Sequence, residues 1–366
     1  MLELWEPDAA LERLDRYLRE HGFVGPAADP ADGRVADVYL GYGLSGSLRR
    51  TSSPGPPEPA RVPFLACRIR EREAAPPSGR SYRVGRWQPT WSAATHAQAI
   101  EEARAAIAAG EIYQVNLVQH LSAPFVGDPA GVARRLAPLR PLHPRPLVGD
   151  GWAIVSASPE LFLSRRGETI TTMPIKGTRP AGGGADLRGS SKDAAEHVMI
   201  VDLERNDLGR VSIPGSVRWP ELMAPRSMAG VEHLVSRVTG TIRPGLGLPE
   251  LLGALFPGGS VTGAPKVAAI DHIARLEPVG RGASMGALGT ITPTGDIDMA
   301  LTIRTFAVVD GRIHLWVGGG IVWDSEPAAE VEESWVKARP LLAAIDATEG
   351  IPEPAAVTRT AGEVSA

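Results

Sequence analysis

Strand-like segments in this sequence follow one another closely, and longer helix-like segments stand between them. Alternating or β-branched runs bounded by short polar turns occupy residues 113–123, 152–166, 168–178, 215–222, 287–295 and 312–323. Helical periodicity fills residues 193–208, 248–256, 265–277 and 327–345. Two strands joined by a short turn pair antiparallel, because a parallel partner needs a crossover of a dozen or more residues. The pattern predicts an α+β fold with antiparallel sheets rather than a doubly wound parallel sheet.

Proline separates a first lobe from the rest of the chain. The prolines cluster in residues 51–63 and 71–81, where fixed φ angles and missing N–H donors favour loops. We predict a short N-terminal lobe with proline-rich loops over residues 1–90 and a main domain over 91–348. The last residues, 349–366, are predicted to be a disordered tail.

The main domain should open with a helix that begins near Thr95. Thr95 and Gln98 have the spacing of a capping box, and Ile100 and Ile107 share one face of the segment that follows. Gly110 is a typical residue at the end of a helix.

Charge and composition exclude several classes of partner. A formal net charge of -4 over 366 residues leaves no basic excess for binding a phosphate backbone, so nucleic acid is not expected. The apolar runs, for example 313–322, are about ten residues long, whereas a membrane helix needs roughly 20. The charged N-terminal segment does not have the pattern of a secretory signal, so we expect a cytoplasmic protein. The single cysteine, Cys67, excludes an intrachain disulfide and a cysteine-built metal site.

Two of the helix-like segments each carry a pair of carboxylates. Asp193 and Glu196 are three residues apart, as are Glu330 and Glu333, so each pair projects from one face of its helix. If the two helices face one cleft, the four carboxylates converge on a hard-cation site, and oxygen ligands without cysteine favour Mg²⁺. The alternative is that both pairs lie on solvated faces, balanced by neighbouring lysines and arginines.

Three glycine-rich turns, at residues 177–180, 256–266 and 317–322, could present backbone N–H groups to a ligand carboxylate. None matches a phosphate-binding loop, and hairpin turns explain them equally well. Arg304 is a lone cation in a segment predicted to be an apolar strand. Its guanidinium would bind a carboxylate of a substrate or of a structural residue such as Asp298.

Lys176 and Glu160 stand at the ends of two consecutive strand-like segments joined by a turn at Arg166 and Gly167. Antiparallel pairing about that turn would bring the two side chains within reach of each other. A lysine in an apolar strand is expensive to bury unless it is paired or loses its proton. A carboxylate beside such an amine is either an ion pair or a general acid that works with a nucleophile.

These motifs occur together in an order that is informative. From about Thr95 to Ile345 the chain resembles the chorismate-utilising enzymes, a family that includes anthranilate synthase component I, aminodeoxychorismate synthase component I, isochorismate synthase and salicylate synthase. The matching segments are GEIYQVNL (110–117), SPELFL (158–163), PIKGTRP (174–180), KDAAEHVMIVDLERNDLGRV (192–211), VEHLVS (231–236), FPGGSVTGAPK (256–266), ALTIRT (300–305), GGGIVWDS (318–325) and AEVEESWVKA (329–338).

The resemblance implies an α+β fold in which two large antiparallel β-sheets pack as a sandwich with helices outside, and a cleft between them that binds chorismate and Mg²⁺. By position, Glu196 and Glu333 resemble the direct metal ligands, and Asp193 and Glu330 resemble a second, often water-mediated pair. The positions that resemble the family's substrate-binding groups are Gly177, Thr178, His233, Thr262, Arg304, Gly318, Gly319, Gly320 and Lys337.

Within the family, a lysine at the position of Lys176 is the mark of the aminodeoxychorismate synthases, whereas the other members carry a small residue. The resemblance therefore implies that ammonia replaces the C4 hydroxyl of chorismate. We expect neutral Lys176 to attack C2 while Glu160 protonates the departing hydroxyl, after which ammonia adds at C4 and expels the lysine.

The resemblance also implies a partner and leaves alternatives open. No glutaminase segment with a cysteine nucleophile is recognised in the sequence, so we expect ammonia from a separate glutamine amidotransferase subunit. Ser284 and Thr290 stand where many members have aromatic residues, which predicts a roomier or differently shaped pocket. The competing interpretations are an anthranilate or other chorismate-converting synthase and a catalytically idle chorismate-binding regulatory subunit.

Overall fold

The structure is a computed structural model. It describes the backbone of residues 1–74, 79–180, 191–228 and 231–347, and the side chains of all of these except residues 177–180, 191–195, 227–228 and 231–233. The predicted tail, 349–366, lies outside the described residues.

One sheet, as far as the described residues show, has ten strands, and every pairing within it is antiparallel. Its strands are β1 (Leu2–Leu4), β2 (Arg34–Leu40), β3 (Leu65–Glu71), β9 (Leu161–Arg166), β10 (Thr169–Met173), β11 (Ile175–Pro180), β12 (Arg218–Met228), β13 (Val231–Thr241), β15 (Ala287–Ile291) and β16 (Ile297–Leu301). The order along its main path is β1-β3-β2-β15-β16-β9-β10-β13-β11, and β12 pairs with β13.

The second sheet has eight strands in the described part of the chain and is also antiparallel. Its strands are β4 (Tyr82–Val84), β5 (Gln88–Pro89), β6 (Gln114–Gly127), β7 (Leu147–Val148), β8 (Trp152–Ser156), β14 (Gly263–Ala264), β17 (Thr305–Val309) and β18 (Arg312–Ile321). The main path runs β14-β6-β18-β17-β8-β7, and β4 and β5 also pair with β6.

The helices complete the α+β architecture that the sequence predicts. They are α1 (Ala10–Glu20), α2 (Ala93–Ala108), α3 (Pro129–Leu136), α4 (Ser191–Gly209), α5 (Leu248–Leu255), α6 (Lys266–Leu276) and α7 (Pro327–Ala344). The start of α2 differs from the prediction: its N-cap is Ser92, whose side chain accepts a hydrogen bond from the Thr95 N–H, so Thr95 lies inside the first turn. No described helix is long and apolar enough to cross a bilayer.

A single apolar core joins the two sheets. Val38 and Leu163 from the first sheet belong to the same buried cluster as Leu121 and Ile154 from the second. Burial of these aliphatic side chains supplies the main stabilisation of the sandwich. The division at residue 90 stays a prediction, and the structure shows that β1, β2 and β3 pair within the same sheet as β15 and β16.

The chain crosses from one sheet to the other at two neighbouring points. After β8 it leaves the second sheet to begin β9 in the first, and after β16 it returns from the first sheet to begin β17 in the second. Backbone hydrogen bonds join these two connections. The Ala157 N–H donates to the Arg304 carbonyl at 3.0 Å, and the Leu301 N–H donates to the Glu160 carbonyl at 3.0 Å. Glu160 and Arg304 are therefore held side by side by backbone.

Candidate active site

A cavity of about 270 Å³ opens beside these two connections. Its wall is rich in charge, and most of the residues singled out from the sequence contribute to it. The charged lining residues are Glu160, Lys176, Glu196, Arg304, Glu330, Glu333 and Lys337, and the glycine run Gly318, Gly319 and Gly320 forms part of the same wall. These residues come from β11 of the first sheet, β18 of the second, the two connections between the sheets, and α4 and α7.

Glu160 is held as a buried acid. The residue is 5% exposed, and the Ser260 hydroxyl donates to its Oε1 at 2.8 Å. Burial raises the pKa of the Glu160 carboxyl above its ordinary value, and the charge of Lys176 is the largest of the effects that oppose this rise. A raised pKa favours the protonated form of the carboxyl, which is the form that can act as a general acid.

Lys176 lies on β11, where it pairs with Leu234 of β13, and it lines the cavity near Glu160. The antiparallel pairing of β9 with β10, with Thr169 opposite Arg166, confirms the hairpin inferred from the sequence. His197 of α4 lies on another side of the lysine. Burial, and then the positive charge of Lys176, lower the pKa of His197 to about 4, and its Nε2 is 2.6 Å from the Ser236 hydroxyl. A neutral imidazole therefore stands beside the amine.

Arg304 lies between β16 and β17 rather than within a strand. Its φ of 50° places the backbone in the left-handed region, which is uncommon for a residue with a side chain and often marks functional positions. Asp298, the structural partner considered from the sequence, is bonded to Arg166 at 2.7 Å instead. Burial lowers the pKa of the Arg304 guanidinium and the Glu160 carboxylate opposes this. Arg304 lines the cavity, where its guanidinium can bind a ligand carboxylate.

The carboxylates of α7 gather at Gly319. A Cβ placed on this glycine would lie 3.5 Å from both Glu330 Oε2 and Glu333 Oε1, and 3.4 Å from Lys337 Nζ. Lys337 Nζ is itself 2.8 Å from Glu333 Oε1 and donates to the Gly318 carbonyl at 2.7 Å. The glycine run is thus the surface against which the charged groups of α7 pack, since side chains on the strand there would fill that space.

The two flanking glycines meet different neighbours. A Cβ on Gly318 would overlap the backbone carbonyl of Leu117 on the neighbouring strand, whereas a Cβ on Gly320 would meet the side-chain amide of Gln114, which can move. The run lies on β18 directly opposite Asn116, Leu117 and Val118 of β6. The overlap at Gly318 favours glycine there for a packing reason, in addition to any contact with a ligand.

The described carboxylates fit a hard cation by donor type, although they are not arranged around one. Glu196 of α4 lines the same cavity as Glu330 and Glu333, and carboxylate oxygens are the donors that Mg²⁺ prefers. Among the described side chains, no group of three or more His, Cys, Asp or Glu is placed to hold a metal ion. The side chain of Asp193 lies outside those described.

Four predicted ligand-binding positions remain. Gly177 and Thr178 continue β11 beyond Lys176, and His233 lies on β13 opposite Arg226, but their side-chain surroundings are outside those described. Thr262 was expected to line the pocket and does not. It is fully buried, and its hydroxyl donates to the Gly258 carbonyl at 2.9 Å, so it stabilises the turn behind the cavity wall.

The positions predicted to reshape the pocket lie away from its wall. The Ser284 hydroxyl is buried and donates to the Thr302 carbonyl at 3.2 Å. Its neighbour Met285 lines the cavity instead, from a left-handed backbone with φ of 60°. Thr290 lines a separate cavity with Asp37. The cavity wall near this turn is therefore shaped by a methionine in place of an aromatic ring.

A buried ion pair that the sequence analysis missed fixes part of the wall. Arg281 and Glu277 are bonded at 2.7 Å with side chains 1% and 2% exposed. The same guanidinium donates to the carbonyls of Val261 at 2.8 Å and Asn116 at 2.7 Å, both cavity residues. Breaking such a pair leaves an uncompensated buried charge. The spacing of Glu277 and Arg281 was a possible signal, but a pair four residues apart is usually a surface feature.

This fold and this cavity belong to a known family of enzymes. The family model described as "chorismate binding enzyme" matches residues 58–343, which is most of the chain. The protein therefore belongs to the chorismate binding enzyme family.

The similar proteins of known name include two kinds of synthase. Anthranilate synthase component 1 of Streptomyces coelicolor is 37% identical over 337 residues, covering 88% of this chain and 62% of the relative. Aminodeoxychorismate synthase component 1 of Klebsiella aerogenes is 40% identical over 282 residues, covering 74% and 62%. The chain spans about three-fifths of the length of these relatives.

Solved structures agree on the fold. Anthranilate synthase component I from Streptococcus pneumoniae matches with a TM-score of 0.78 at 28% identity, covering 89% of this chain and 84% of the other. The menaquinone-specific isochorismate synthase MenF of Escherichia coli matches with a TM-score of 0.66 at 20% identity, covering 92% and 83%. The second likeness concerns the fold alone.

Proposed function

We propose that the protein acts as an aminodeoxychorismate synthase component I, replacing the C4 hydroxyl of chorismate by an amino group. The observation that carries the proposal is the placement of Lys176 and the buried acid Glu160 in one cavity wall, in a member of the chorismate binding enzyme family. An amine next to a proton donor is the pair that a covalent substitution of a hydroxyl requires. Arg304 is placed to bind a carboxylate of the same substrate.

The proposed reaction has two displacements. After Lys176 has lost its proton, its neutral Nζ forms a bond to C2, the ring double bond shifts, and the C4–O bond breaks as Glu160 protonates the departing hydroxyl to water. Ammonia then forms a bond to C4, the double bond shifts back, and the C2–N bond to Lys176 breaks. The Glu160 carboxylate takes a proton from the new ammonium group, so both residues return to their starting state. Splitting one difficult substitution in this way is the advantage of covalent catalysis.

The metal and the partner belong to the same proposal. Glu196 and Glu333 would be the direct ligands of Mg²⁺ and Asp193 and Glu330 a second pair, and the described side chains of this set would have to come closer together than the structure places them. The bound ion would attract the ring carboxylate and withdraw charge from the ring. Ammonia would come from a separate glutamine amidotransferase subunit, in keeping with the name "component 1" of the relatives. The product would feed 4-aminobenzoate and folate synthesis, and a cytoplasmic location stays a prediction.

Anthranilate synthesis is the second candidate, because an anthranilate synthase component 1 is 37% identical over 88% of the chain. The two products differ in a way that one assay separates. Anthranilate is aromatic and fluorescent when formed, whereas aminodeoxychorismate yields 4-aminobenzoate only after a lyase is added. Incubation of the protein with chorismate, Mg²⁺ and ammonium, with and without that lyase, tests the proposal. Lyase-independent anthranilate would overturn it.

Replacing Lys176 by Ala should leave chorismate binding within a few-fold and reduce amination by about two to four orders of magnitude, because the nucleophile is lost. Mass spectrometry of the wild-type protein quenched with chorismate, in the absence of ammonium, should show an adduct on the peptide that contains residue 176. Full amination by the Ala variant, or an adduct elsewhere in the chain, would remove the covalent role of this lysine.

A further inference from the structure

The Ser260 hydroxyl is bonded to the acid of the proposed reaction. It donates to Glu160 Oε1 at 2.8 Å, the two residues are 6% and 5% exposed, and both line the cavity. Glu160 Oε1 is the one acceptor of this hydroxyl among the described residues. A hydroxyl has a single proton to donate, and here that proton is directed at Oε1. When Glu160 is protonated, its own proton is therefore on the other oxygen, Oε2.

The turn that carries Ser260 is fixed by buried hydrogen bonds. It is a short 3₁₀ turn, Gly259–Val261. The carbonyl of Val261 accepts from the Arg281 guanidinium at 2.8 Å, and the carbonyl of Thr262 accepts from a backbone N–H of β6 at 2.8 Å. Because the side chain of Arg281 is 1% exposed and is itself paired, the turn has little freedom to move. The hydroxyl is thus held in place by contacts that it does not make itself.

A hydrogen bond to Glu160 is stronger for the carboxylate than for the protonated acid, because a charged acceptor strengthens it. Burial raises the pKa of the Glu160 carboxyl, and the charge of Lys176 and then the Ser260 hydroxyl oppose that rise. Among the described side chains, the other charged groups that act on this carboxyl or respond to it are Arg304, between β16 and β17, and Glu204 of α4. Transfer of the Glu160 proton to a substrate therefore strengthens the bond from Ser260 as the charge develops.

We propose that Ser260 is a positioning residue for the general acid: its hydroxyl holds Oε1, so that the transferable proton lies on Oε2, and it stabilises the carboxylate that remains after the transfer. Without this bond the carboxyl would carry its proton on either oxygen, and only one of them would serve a bound substrate. Ser260 acts through Glu160 and is not required to touch a reacting atom. The use of Glu160 as an acid rests on the proposed function, whereas the effect of the hydroxyl on the titration of this carboxyl does not.

Steady-state kinetics of Ser260 variants test the effect on the reaction. Ser260→Ala should lower kcat for amination about tenfold and leave the KM for chorismate within a factor of about two, because the lost bond is one to a charge that develops during proton transfer. Ser260→Thr keeps the hydroxyl and should stay within about threefold of the wild-type kcat, and Ser260→Cys, with a weaker donor, should lie between these two. Ser212→Ala is the matched control: this serine is 2% exposed and does not line the cavity, so its loss should change neither constant.

Infrared titration measures the carboxyl without any reaction. The C=O stretch of protonated Glu160 is assigned as the band that Glu160→Gln lacks, and its intensity is followed with pH in the full chain without substrate. In Ser260→Ala the midpoint should move about one unit to higher pH, because the carboxylate loses a donor that the protonated form needs less. Ser260→Thr should titrate like the wild type.

The two measurements separate this proposal from the proposed function. An unshifted infrared midpoint in the folded Ala variant overturns the role of Ser260, as does a wild-type kcat for that variant. A Thr variant with an unchanged thermal midpoint that is as slow as the Ala variant also overturns it, since packing rather than the hydroxyl would then matter. An infrared midpoint that shifts as expected in a protein that does not aminate chorismate counts against the proposed function alone.

Discussion

Replacing Glu204 by Gln should stabilise the protein at neutral pH and leave its stability near pH 4.5 almost unchanged. Glu204 is 6% exposed and packs against the turn at Gly259, where a Cβ would lie 3.3 Å from its Oε1. Lys266, whose positive charge acts on this carboxyl, is bonded to Asp207 at 2.6 Å. Burial, followed by the negative charge of Asp207, raises the pKa of the Glu204 carboxyl to about 8.

The direction and size of this change in stability follow from proton linkage. The carboxyl has a pKa of 4.5 when unperturbed, so the folded state binds the proton more tightly than the unfolded chain. The stability that this proton contributes is complete below pH 4.5 and is lost as the pH rises through about 8. The whole range corresponds to about 5 kcal/mol, of which about 3 kcal/mol is lost by pH 7. Glutamine is neutral throughout and similar in size, so the variant should escape this loss.

Urea denaturation at pH 4.5, 6, 7 and 8 measures the effect. The free energy of unfolding of Glu204→Gln should exceed that of the wild type by a margin that grows from near zero to several kcal/mol, with an unchanged denaturant slope. Glu20→Gln, at an exposed position of α1, is the matched control and should show no such trend. A margin that is constant with pH, or a variant that is less stable at pH 7, would refute the assignment of Glu204 as a buried protonated acid.

Other substitutions test the cavity itself. Glu160→Gln removes the proton donor and should lower amination by about two to four orders of magnitude in a steady-state assay, with chorismate binding within a few-fold. Gly319→Ala should change the thermal midpoint little, because its methyl group would stand in ordinary contact, at 3.4 to 3.5 Å, with the charged groups of α7, whereas Gly318→Ala should lower the midpoint by overlap with the Leu117 carbonyl. Arg304→Gln should raise the KM for chorismate more than tenfold and change kcat less, through loss of a charge-assisted carboxylate contact.

Part of the two sheets and the β9–β10 hairpin were predictable because they depend on local patterns. A period of two residues marks several of the strands, and the turn at Gly167 fixes which residues of β9 and β10 face each other. Lys176 lies beyond that hairpin, on β11, which pairs with β13. The positions of α4 and α7 followed in the same way from helical periodicity. These features are specified by neighbouring residues, so one sequence is enough to locate them.

The start of α2 and the conformation of Arg304 were predicted incorrectly for physical reasons. Ser92 and Thr95 are both good capping residues, and which of them caps the helix depends on where the preceding chain leaves β5. Arg304 interrupts an apolar run, and apolar alternation does not report that its φ is positive. That conformation is imposed by the passage between two sheets, which is a tertiary constraint.

The sequence analysis did not predict that two glutamates are buried. Glu204 and Glu277 read as ordinary solvated charges, since glutamate is almost never fully buried unless it is paired. Glu277 is paired with Arg281, whose side chain is equally buried. Glu204 is covered by the turn at Gly259, which is more than fifty residues away along the chain. Their burial arises from contacts between distant elements, and the four-residue spacing of Glu277 and Arg281, which a surface pair shares, could not indicate it.

The positions of the α7 carboxylates depend on both the local sequence and the tertiary packing. The spacing of Glu330 and Glu333 predicts a shared helix face, yet it equally fits a solvated surface. What decides between these is the packing of α7 against β18: the carboxylates of Glu330 and Glu333 lie 3.5 Å from the position of a Cβ on Gly319, and the Lys337 ammonium donates to the Gly318 carbonyl. The glycine run therefore gives the charged groups of α7 a close approach to β18, and no spacing within α7 could indicate that approach.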